Sequence, residues 1–406
     1  MGTEEQVVPQ IGSNRLTATG ATITAVKAYP VQSPNIVKSL NVLRDEALII
    51  EVESDAGVSG WTEAHGLLPA MKALVEADRP HPRDRGPRHA LVGRRLDDLD
   101  GLIRDLRASS ILSGRSGIGR VAIGTIETAL LDLVGKLNHV PAWRLLPGAG
   151  DEPAQDVIVP YITIYNRGTY KEVVAKGKAD IDRARNFGYR SFKLEATDYN
   201  TSDDEAVSFV EEMRAHVGDG IELSVDNVYR WPDYESGLRA ARRYKELGAV
   251  FLEDPFLPER WDLWRRLTDE VGFPLATGGG METTGRFIAS MELGGTAIMQ
   301  PGVHITGLLG GHEVCHEVEM RGRSVTTFGV SATSLTASGQ LHLAAANSVV
   351  KYVEYAPAEL FPNLLLRTEI AGPEPTLSNG VFRAPRAPGL GVECDRDAIE
   401  KYRIDN

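Results

Sequence analysis

Cysteine is nearly absent from this chain, which has only Cys315 and Cys394 among its 406 residues. Two thiols cannot build a framework of disulfide bridges, so we expect reduced thiols and a reducing compartment. The sequence also lacks an apolar run long enough to span a bilayer, and its N-terminus lacks the basic start and apolar core of a secretion signal. These absences predict a cytoplasmic protein.

Basic charge is in short supply as well, since 44 Lys and Arg residues stand against 56 Asp and Glu residues and the net charge is −12. An acidic balance of this size argues against nucleic acid or an anionic membrane as a partner. A phosphate-binding loop is also missing, because the glycines at 278–280 lack both the dinucleotide spacing and a phosphate-loop lysine. The balance does not exclude a small substrate, whose binding depends on local charge.

The length of 406 residues exceeds the size at which a single core usually stops growing, so we expect two domains. A polar segment, 1–20, precedes a region of antiparallel strands and helices, 21–150. Strands and helices then alternate regularly over 151–372, and a Pro- and Gly-rich segment, 373–406, is expected to pack back on the first domain. Eight strand patterns separated by helical patterns favour a closed barrel over an open sheet.

The residues that carry chemistry lie between positions 190 and 255, where three short apolar runs end in charge. Lys193 and Glu195 end the first run, Asp226 ends the second and Glu253 ends the third. Helical patterns separate the runs, so the strands are parallel and their carboxyl ends lie on one side. Carboxylates gathered in this way repel each other unless a cation joins them, and Mg²⁺ prefers carboxylate oxygen. The pattern predicts a Mg²⁺ site, the alternative being that each carboxylate only begins a surface turn.

Several segments taken together resemble the enolase superfamily, in its mandelate racemase and muconate lactonizing branch: VSGWTEA, GTIETALLDLVGK, GYRSFKLEA, LSVDN, VFLEDP and IMQPGV. The resemblance covers nearly the whole chain and implies an α/β fold, a modified TIM barrel of the (β/α)₇β type under an N-terminal α+β capping domain. It implies a homo-oligomer, a small carboxylate substrate and chemistry that begins with removal of the proton α to that carboxylate. Asp226 and Glu253 match the first two metal ligands, and Lys193 matches the first Lys of a Lys-x-Lys motif.

The third metal ligand of this branch is missing from the chain. Gly279 or Gly280 stands where a carboxylate is expected, and Glu282 is a substitute only if its loop folds back. An octahedral ion with two carboxylates depends mostly on water. We therefore expect Mg²⁺ binding to be weakened or absent if nothing replaces the third carboxylate.

The acid and base of the branch are also replaced. Glu195 stands in place of the second Lys of the motif, where it is either an alternative base or a part of the metal shell. Gly302 and Phe328 take the places of an opposite His–Asp pair. His304 lies two residues beyond Gly302, on the same side of the extended chain, and is expected to have a near-neutral pKa there. Its alternative is a plain loop residue.

Three other groups are candidates for the site. Tyr161, in the first barrel strand, can donate to a carboxylate or a leaving group, with aromatic lining of the barrel as an equal alternative. Glu354, at the end of the last strand, matches a position that contacts the developing enolate in relatives, and its alternative is a rim carboxylate. His65 and Trp61 can reach from the capping domain, although Trp61 suits the core better.

The retained Lys193, Asp226 and Glu253 favour a lyase, a dehydratase acting on a hydroxylated carboxylate through an enolate-type intermediate. Dehydration needs one base and an acid for the departing hydroxyl, whereas racemisation needs bases on both faces, which the sequence does not supply. The alternatives are a racemase, epimerase or cycloisomerase with unusual acid and base residues, and a catalytically inactive protein that binds carboxylates with the same fold.

Overall fold

The computed structural model describes residues 19–34, 46–81, 84–109, 112–165, 168–195, 202–231, 233–258, 260–329, 332–360 and 365–405. Residues 1–18 of the loose segment predicted at 1–20 lie outside these ranges, and so do residues 35–45, which belong to a long polar connection between two strand patterns. Every helix within the ranges is too short or too polar to cross a membrane.

The capping domain consists of an antiparallel sheet followed by helices. In the described residues its elements are β1 (Ile23–Gln32), β2 (Glu46–Ser54), β3 (Ser59–Ala64), α1 (Leu68–Val75), α2 (Pro87–Leu91), α3 (Leu99–Ser109) and α4 (Gly117–Leu137). The sheet order is β1-β2-β3. The turn that joins β2 to β3 is the one that the sequence predicts, with Gly57 in the left-handed region at a φ of 73°.

Helix α4 is the central element between the two domains. It is apolar on nearly every side, and its residues 121–135 are all buried. One side packs on β3, and the other side packs on helices of the barrel. A side chain at Gly60 of β3 would overlap the backbone oxygen of Ala129 in α4, so only glycine permits this close approach. The end of β3 is thereby held against the barrel.

Eight parallel strands of the described chain close into a barrel. A short strand, β4 (Val157–Ile158), precedes β5 (Pro160–Tyr165), β6 (Ser191–Glu195), β7 (Glu222–Asp226), β8 (Leu252–Glu253), β9 (Leu275–Thr277), β10 (Ile298–Met299), β11 (Ser324–Thr326) and β12 (Val350–Glu354). The ring order is β10-β11-β12-β5-β6-β7-β8-β9. The closed barrel that the sequence predicts is confirmed. Strands β6 and β10 are four steps apart in either direction, so they lie on opposite sides of the barrel mouth.

Helices surround the barrel and connect its strands. They are α5 (Tyr170–Asn186), α6 (Asp203–Val217), α7 (Tyr234–Glu246), α8 (Trp261–Val271), α9 (Thr284–Ala289), α10 (Val303–Thr306), α11 (Leu308–Met320) and α12 (Ser334–Ala346). Thr169 and Ser202 begin α5 and α6 with capping boxes, in which the side chain of the capping residue and a Glu three positions later satisfy backbone N–H groups.

The C-terminal part of the chain contacts both domains. Its elements are α13 (Leu365–Glu369), β13 (Ala371–Gly372), β14 (Phe382–Arg383), β15 (Glu393–Cys394) and α14 (Arg396–Tyr402). Strand β14 pairs with β4, so residues 157–158, which the sequence assigns to the first barrel strand, lie outside the barrel because their backbone groups bond to the returning segment. On the capping domain, Arg396 pairs with the buried Glu51.

One buried carboxylate ties the returning segment to α4 and β3. Asp132 accepts the N–H of Trp61 at 2.8 Å and the N–H of Leu390 at 2.6 Å, and it pairs with Lys136 at 2.8 Å. Replacing Asp132 by Ala leaves the two backbone N–H groups buried and unpaired, while Lys136 keeps its pair with Glu393 at 2.8 Å. We expect the free energy of unfolding to fall by about 3–5 kcal/mol, measured by denaturant unfolding.

A matched control for Asp132→Ala is Asp151→Ala, because Asp151 pairs with Arg144 at 2.6 Å on the surface. Its free energy of unfolding should change by no more than about 0.5 kcal/mol. Equal stabilities of the two variants would contradict a structural role for Asp132.

Candidate active site

Charged side chains from four barrel strands meet at the carboxyl end of the barrel. The Nζ atom of Lys193 lies 2.9 Å from Oε2 of Glu253 and 3.5 Å from Oδ2 of Asp226. It also lies 3.5 Å from Oε1 of Glu354, and all four side chains are buried. We refer to Lys193, Asp226, Glu253 and Glu354 as the charged cluster. The structure thus brings together four of the residues that the sequence places at the site.

The strand register explains why these groups meet. Lys193 and Glu195 are two positions apart on β6 and therefore share a face of the strand. Glu195 is aligned with Asp226 of β7, and Asp226 is aligned with Glu253 of β8. Adjacent parallel strands thus present carboxylates at one level of the barrel, with the ammonium of Lys193 beneath them.

Uncharged donors hold two of the carboxylates in addition to the lysine. The side-chain amide of Gln300 donates to Oε2 of Glu253 at 2.6 Å. The backbone N–H of Val228 donates to Oδ1 of Asp226 at 3.0 Å. The oxygens of both carboxylates therefore face N–H donors and the ammonium.

Glu354 is held in the same way from the last strand of the barrel. The backbone N–H of Gly329 donates to its Oε2 at 2.7 Å, and the hydroxyl of Thr163 donates to its Oε1. Both oxygens have partners, and one of them also faces Lys193. Glu354 is therefore a buried member of the cluster and not a carboxylate on the rim.

The charges of the cluster do not balance, because one ammonium faces three carboxylates. Burial and the nearby Asp226 raise the pKa of Glu253 to about 8, although Lys193 opposes the shift. Burial likewise raises the pKa of Asp226. Burial alone would lower the pKa of Lys193, but Glu253 and Glu354 raise it well above its usual value. The carboxylate neighbours thus favour the ammonium form of Lys193, while burial opposes full ionisation of the three carboxyl groups.

Tyr161 lines the cluster. Its ring centroid lies 5.5 Å from Nζ of Lys193, and its hydroxyl donates to the backbone oxygen of Thr327 at 2.9 Å. Burial and the charge of Glu354 raise its pKa well above the usual value, so the phenol is neutral. A donor role toward a substrate requires the bond to Thr327 to break.

Glu195 lies at the edge of the cluster. Its side chain is half-buried, and its charge adds to burial in raising the pKa of the neighbouring Asp226. It also adds to burial in raising the pKa of Tyr165. Glu195 is thus within electrostatic reach of the cluster and more open to solvent than its members.

Glu282 does not join the cluster. Its Oε1 accepts the N–H of Gly117 at the start of α4, at 2.7 Å, and its Oε2 pairs with Arg286 at 2.9 Å. The expectation that Glu282 supplies a third metal ligand is not met, because its loop does not fold back and both oxygens have partners. Its carboxylate instead stabilises the N-terminus of α4.

The place of the third ligand is filled by an aromatic ring. A Cβ atom at Gly279 would lie 3.0 Å from the ring of Phe328. Within the described ranges, no group of three or more His, Cys, Asp or Glu side chains lies in positions suited to holding a metal ion. The two remaining carboxylates, Asp226 and Glu253, already face Lys193. The residues present therefore do not fit the three-carboxylate Mg²⁺ site that the resemblance implies.

A pair of histidines lies on the other side of Phe328. His304 is buried, with its ring centroid 5.7 Å from that of Phe328 and 4.7 Å from that of His65 in the capping domain. Burial, and then His65, lower the pKa of His304 to about 3. The near-neutral pKa that the sequence predicts is therefore not found, because the ring is removed from water.

Some residues of the site were missed by the sequence reasoning. Gln300 directly precedes Pro301 at a strand end, and Glu63 is a carboxylate in a largely buried strand that packs on the barrel. Asp254 follows Glu253, accepts the hydroxyl of Thr277 at 2.6 Å and has a pKa raised to about 7 by burial and by Glu253. The sequence signal for these three residues was a polar side chain within a buried strand or directly after one.

Comparison with known proteins assigns the family. Residues 176–398, more than half of the chain, match the family model described as enolase C-terminal domain-like. The chain is 26% identical to the 3,6-anhydro-alpha-L-galactonate cycloisomerase of Streptomyces coelicolor over 365 residues, which cover 88% of this chain and 92% of the relative. It is also 26% identical to the arabinonate dehydratase of Saccharolobus solfataricus over 376 residues, which cover 88% of this chain and 91% of the relative.

A solved structure shows the same fold. A racemase from Streptomyces coelicolor with bound magnesium has a TM-score of 0.77 to this chain at 22% identity, covering 94% of this chain and 100% of the other. The chain therefore belongs to the enolase C-terminal domain-like family, in the branch of the enolase superfamily that its motifs predict, and is an enzyme of the lyase or isomerase class.

Proposed function

We propose that this chain removes water from a polyhydroxylated carboxylate, a sugar acid, through loss of the α-proton and an enolate-type intermediate. The observation that carries the proposal is the buried ammonium of Lys193 among three carboxylates at the mouth of the closed barrel. The names of two relatives, an arabinonate dehydratase and an anhydrogalactonate cycloisomerase, point to sugar acids. We also propose that the protein is a cytoplasmic homo-oligomer and that neither nucleic acid nor a membrane is its partner.

The first chemical requirement is stabilisation of negative charge, because a proton α to a carboxylate is barely acidic. Lys193 supplies a fixed positive charge. The raised pKa of Glu253 supports a second contribution, since a carboxyl that keeps its proton at neutral pH can donate a hydrogen bond to an enolate oxygen. Lys193 and Glu253 would thus stabilise the enolate with groups of the chain itself. We therefore propose that Mg²⁺ binding is weakened or absent, as the missing third carboxylate predicts.

The second requirement is a base, and Glu195 is our candidate. It takes the place of the second Lys of the family motif, at the end of β6, and is less buried than the cluster. In the first step the C–H bond α to the carboxylate breaks, its proton passes to the carboxylate of Glu195, and its electron pair moves into the substrate carboxylate. Glu354 and Tyr161 face Lys193 and would line the space around the developing enolate.

The third requirement is an acid for the departing hydroxyl. When the enolate collapses, the adjacent C–O bond breaks, a proton from the acid joins the hydroxyl to form water, and the remaining enol rearranges to a 2-oxo acid. His304 follows β10 and thus lies across the mouth from Glu195 on β6, which supports a role on that face. Its low pKa means that another group must hold the proton at neutral pH.

The reaction class can be tested by incubating the protein with arabinonate, 3,6-anhydrogalactonate and other aldonates in D₂O. We expect one acid to lose the mass of water and to yield a 2-oxo acid, measured by mass spectrometry and carbonyl derivatisation. Glu195→Gln should lower this rate about 10²- to 10⁴-fold. Glu222→Gln is the control, because Glu222 is exposed at the opposite end of β7.

Other outcomes of the same experiment distinguish the alternatives. A product whose mass differs from that of the substrate only by the uptake of one deuterium would indicate a racemase, an epimerase or a cycloisomerase. If no acid is converted while one raises the melting temperature, the protein binds carboxylates without turning them over.

The role of Lys193 as the cation can be tested with Lys193→Met. We expect the turnover and melting temperature of the unchanged protein to be insensitive to EDTA and to millimolar Mg²⁺. The variant should lose about 10²- to 10³-fold in turnover and melt at a lower temperature, because three buried carboxylates lose their counter-ion. Added Mg²⁺ should raise its melting temperature, since Asp226 and Glu253 are then free to bind a cation.

The matched control is Lys136→Met, which removes a buried ammonium from Asp132 in α4. This variant should also melt at a lower temperature, and Mg²⁺ should not restore it. Loss of turnover of the unchanged protein in EDTA would refute the proposal that Lys193 replaces the metal.

A further inference from the structure

A second group of polar side chains spans the boundary between the capping domain and the barrel. Oε1 of Glu63 lies 3.7 Å from Nε2 of His65, and the ring centroids of His65 and His304 are 4.7 Å apart in an edge-to-face arrangement. We refer to Glu63, His65 and His304 as the histidine group. Glu63 lies near the end of β3 and His65 directly follows the strand, whereas His304 lies in the short helix α10 after β10.

Glu63 is held in one orientation by the barrel. Its Oε2 accepts the N–H of Thr333 at 3.0 Å and the hydroxyl of Thr333 at 2.6 Å. Thr333 is the N-cap of α12, a helix of 13 residues, so the carboxylate faces the positive end of the helix dipole. Burial alone would raise the pKa of Glu63, but His65 and Thr333 lower it to about 2. Glu63 is thus a fixed anion beside His65.

Two glycines make the space for His304. A Cβ atom at Gly302 would lie 2.8 Å from Cε1 of His304, and a Cβ atom at Gly329 would overlap the same atom. Gly329 also donates its N–H to Glu354 of the charged cluster. One residue therefore contacts both groups.

The ring of Phe328 lies near both the histidine group and the charged cluster. The centroid of Phe328 lies 5.7 Å from that of His304 and 6.0 Å from Nζ of Lys193. A chain of several carbons with its carboxylate near Lys193 is long enough to place a hydroxyl group near the histidine group. Phe328 and Gly329 are thus in contact with both groups.

Three atoms of the histidine group are buried and have no hydrogen-bond partner in the part of the chain that the structure describes. They are Oε1 of Glu63, Nε2 of His65 and Nδ1 of His304. Buried polar atoms are normally hydrogen-bonded. Oε1 of Glu63 and Nε2 of His65 face each other across 3.7 Å, which is too long for a hydrogen bond, so a polar ligand group beside these atoms would complete their bonding.

We propose that His65, oriented by Glu63, is the general acid that protonates the departing hydroxyl, and that His304 positions its ring. The inference rests on the proposed dehydration. The imidazolium N–H bond of His65 breaks as the substrate C–O bond breaks, its proton joins the hydroxyl to form water, and His65 becomes neutral. The charged and titratable groups facing His65 are Glu63 on β3 and His304 after β10. Acid and base then lie across the mouth from each other, one on each domain.

The test compares His65→Gln and Glu63→Gln on the acid that the unchanged protein dehydrates. A general acid that loses its proton gives the alkaline limb of the pH–rate profile. We expect His65→Gln to lower kcat about 10²- to 10³-fold, to leave KM nearly unchanged and to abolish that limb. Glu63→Gln should keep the limb and lower kcat by less than His65→Gln does, because the acid remains but loses the carboxylate that orients its ring. His65→Ala should regain part of its kcat in added imidazole.

The control variant is His89→Gln, which removes a surface histidine paired with Asp78 at 2.9 Å in the same domain. It should leave kcat and the alkaline limb unchanged. If His65→Gln retains both its kcat and the alkaline limb, the assignment of His65 as the general acid is wrong.

A second measurement does not depend on turnover. In histidine-labelled protein at constant pH, the ring resonances of His65 should change in Glu63→Gln, while the resonances of His304 should remain those of a neutral ring. No coupling between Glu63 and His65 would overturn the inference even if dehydration is found. If coupling is present but no aldonate is dehydrated, the proposed function fails and the assignment of an acid fails with it.

Discussion

The electrostatics at the mouth of this barrel depend on one buried ammonium that is surrounded by three carboxylates. Lys193 satisfies part of the negative charge, while Gln300 and backbone N–H groups donate to the carboxylate oxygens that remain. Burial opposes full ionisation of the three carboxyl groups and raises the pKa values of Glu253 and Asp226. Lys193 is thus a cation that the chain itself supplies to this cluster, and its removal would leave three buried carboxylates without their counter-ion.

The second constraint is the fixed contact between the capping domain and the barrel. The close approach of β3 to α4 at Gly60, and the bonds of Asp132 to Trp61 and Leu390, hold the end of β3 against the barrel. His65 therefore reaches His304 although the two residues are far apart in sequence. If His65 is the acid and Glu195 is the base, the distance between acid and base is set by how the two domains pack.

Much of the fold was predictable because it depends on local patterns. Alternating apolar runs and helical spacing predict the closed barrel, and the turn at Gly57 predicts the hairpin of the capping domain. Strand ends rich in charge predict that Lys193, Asp226 and Glu253 converge, since parallel strands place their carboxyl ends together. Glu354 was found only through the family resemblance. The division of residues 157–164 was not predictable, because β4 pairs with a strand more than 200 residues later.

The sequence by itself determined which charged groups end the barrel strands and which family residues are absent, since both are properties of position along the chain. Only the tertiary structure decided what surrounds them. Glu282 bonds to α4 and not to the cluster, the ring of Phe328 fills the place of the third ligand, and His304 is buried against a histidine of the other domain. The physical reason is that burial and contacts between distant segments, which set the charge state and orientation of a side chain, follow from packing in three dimensions.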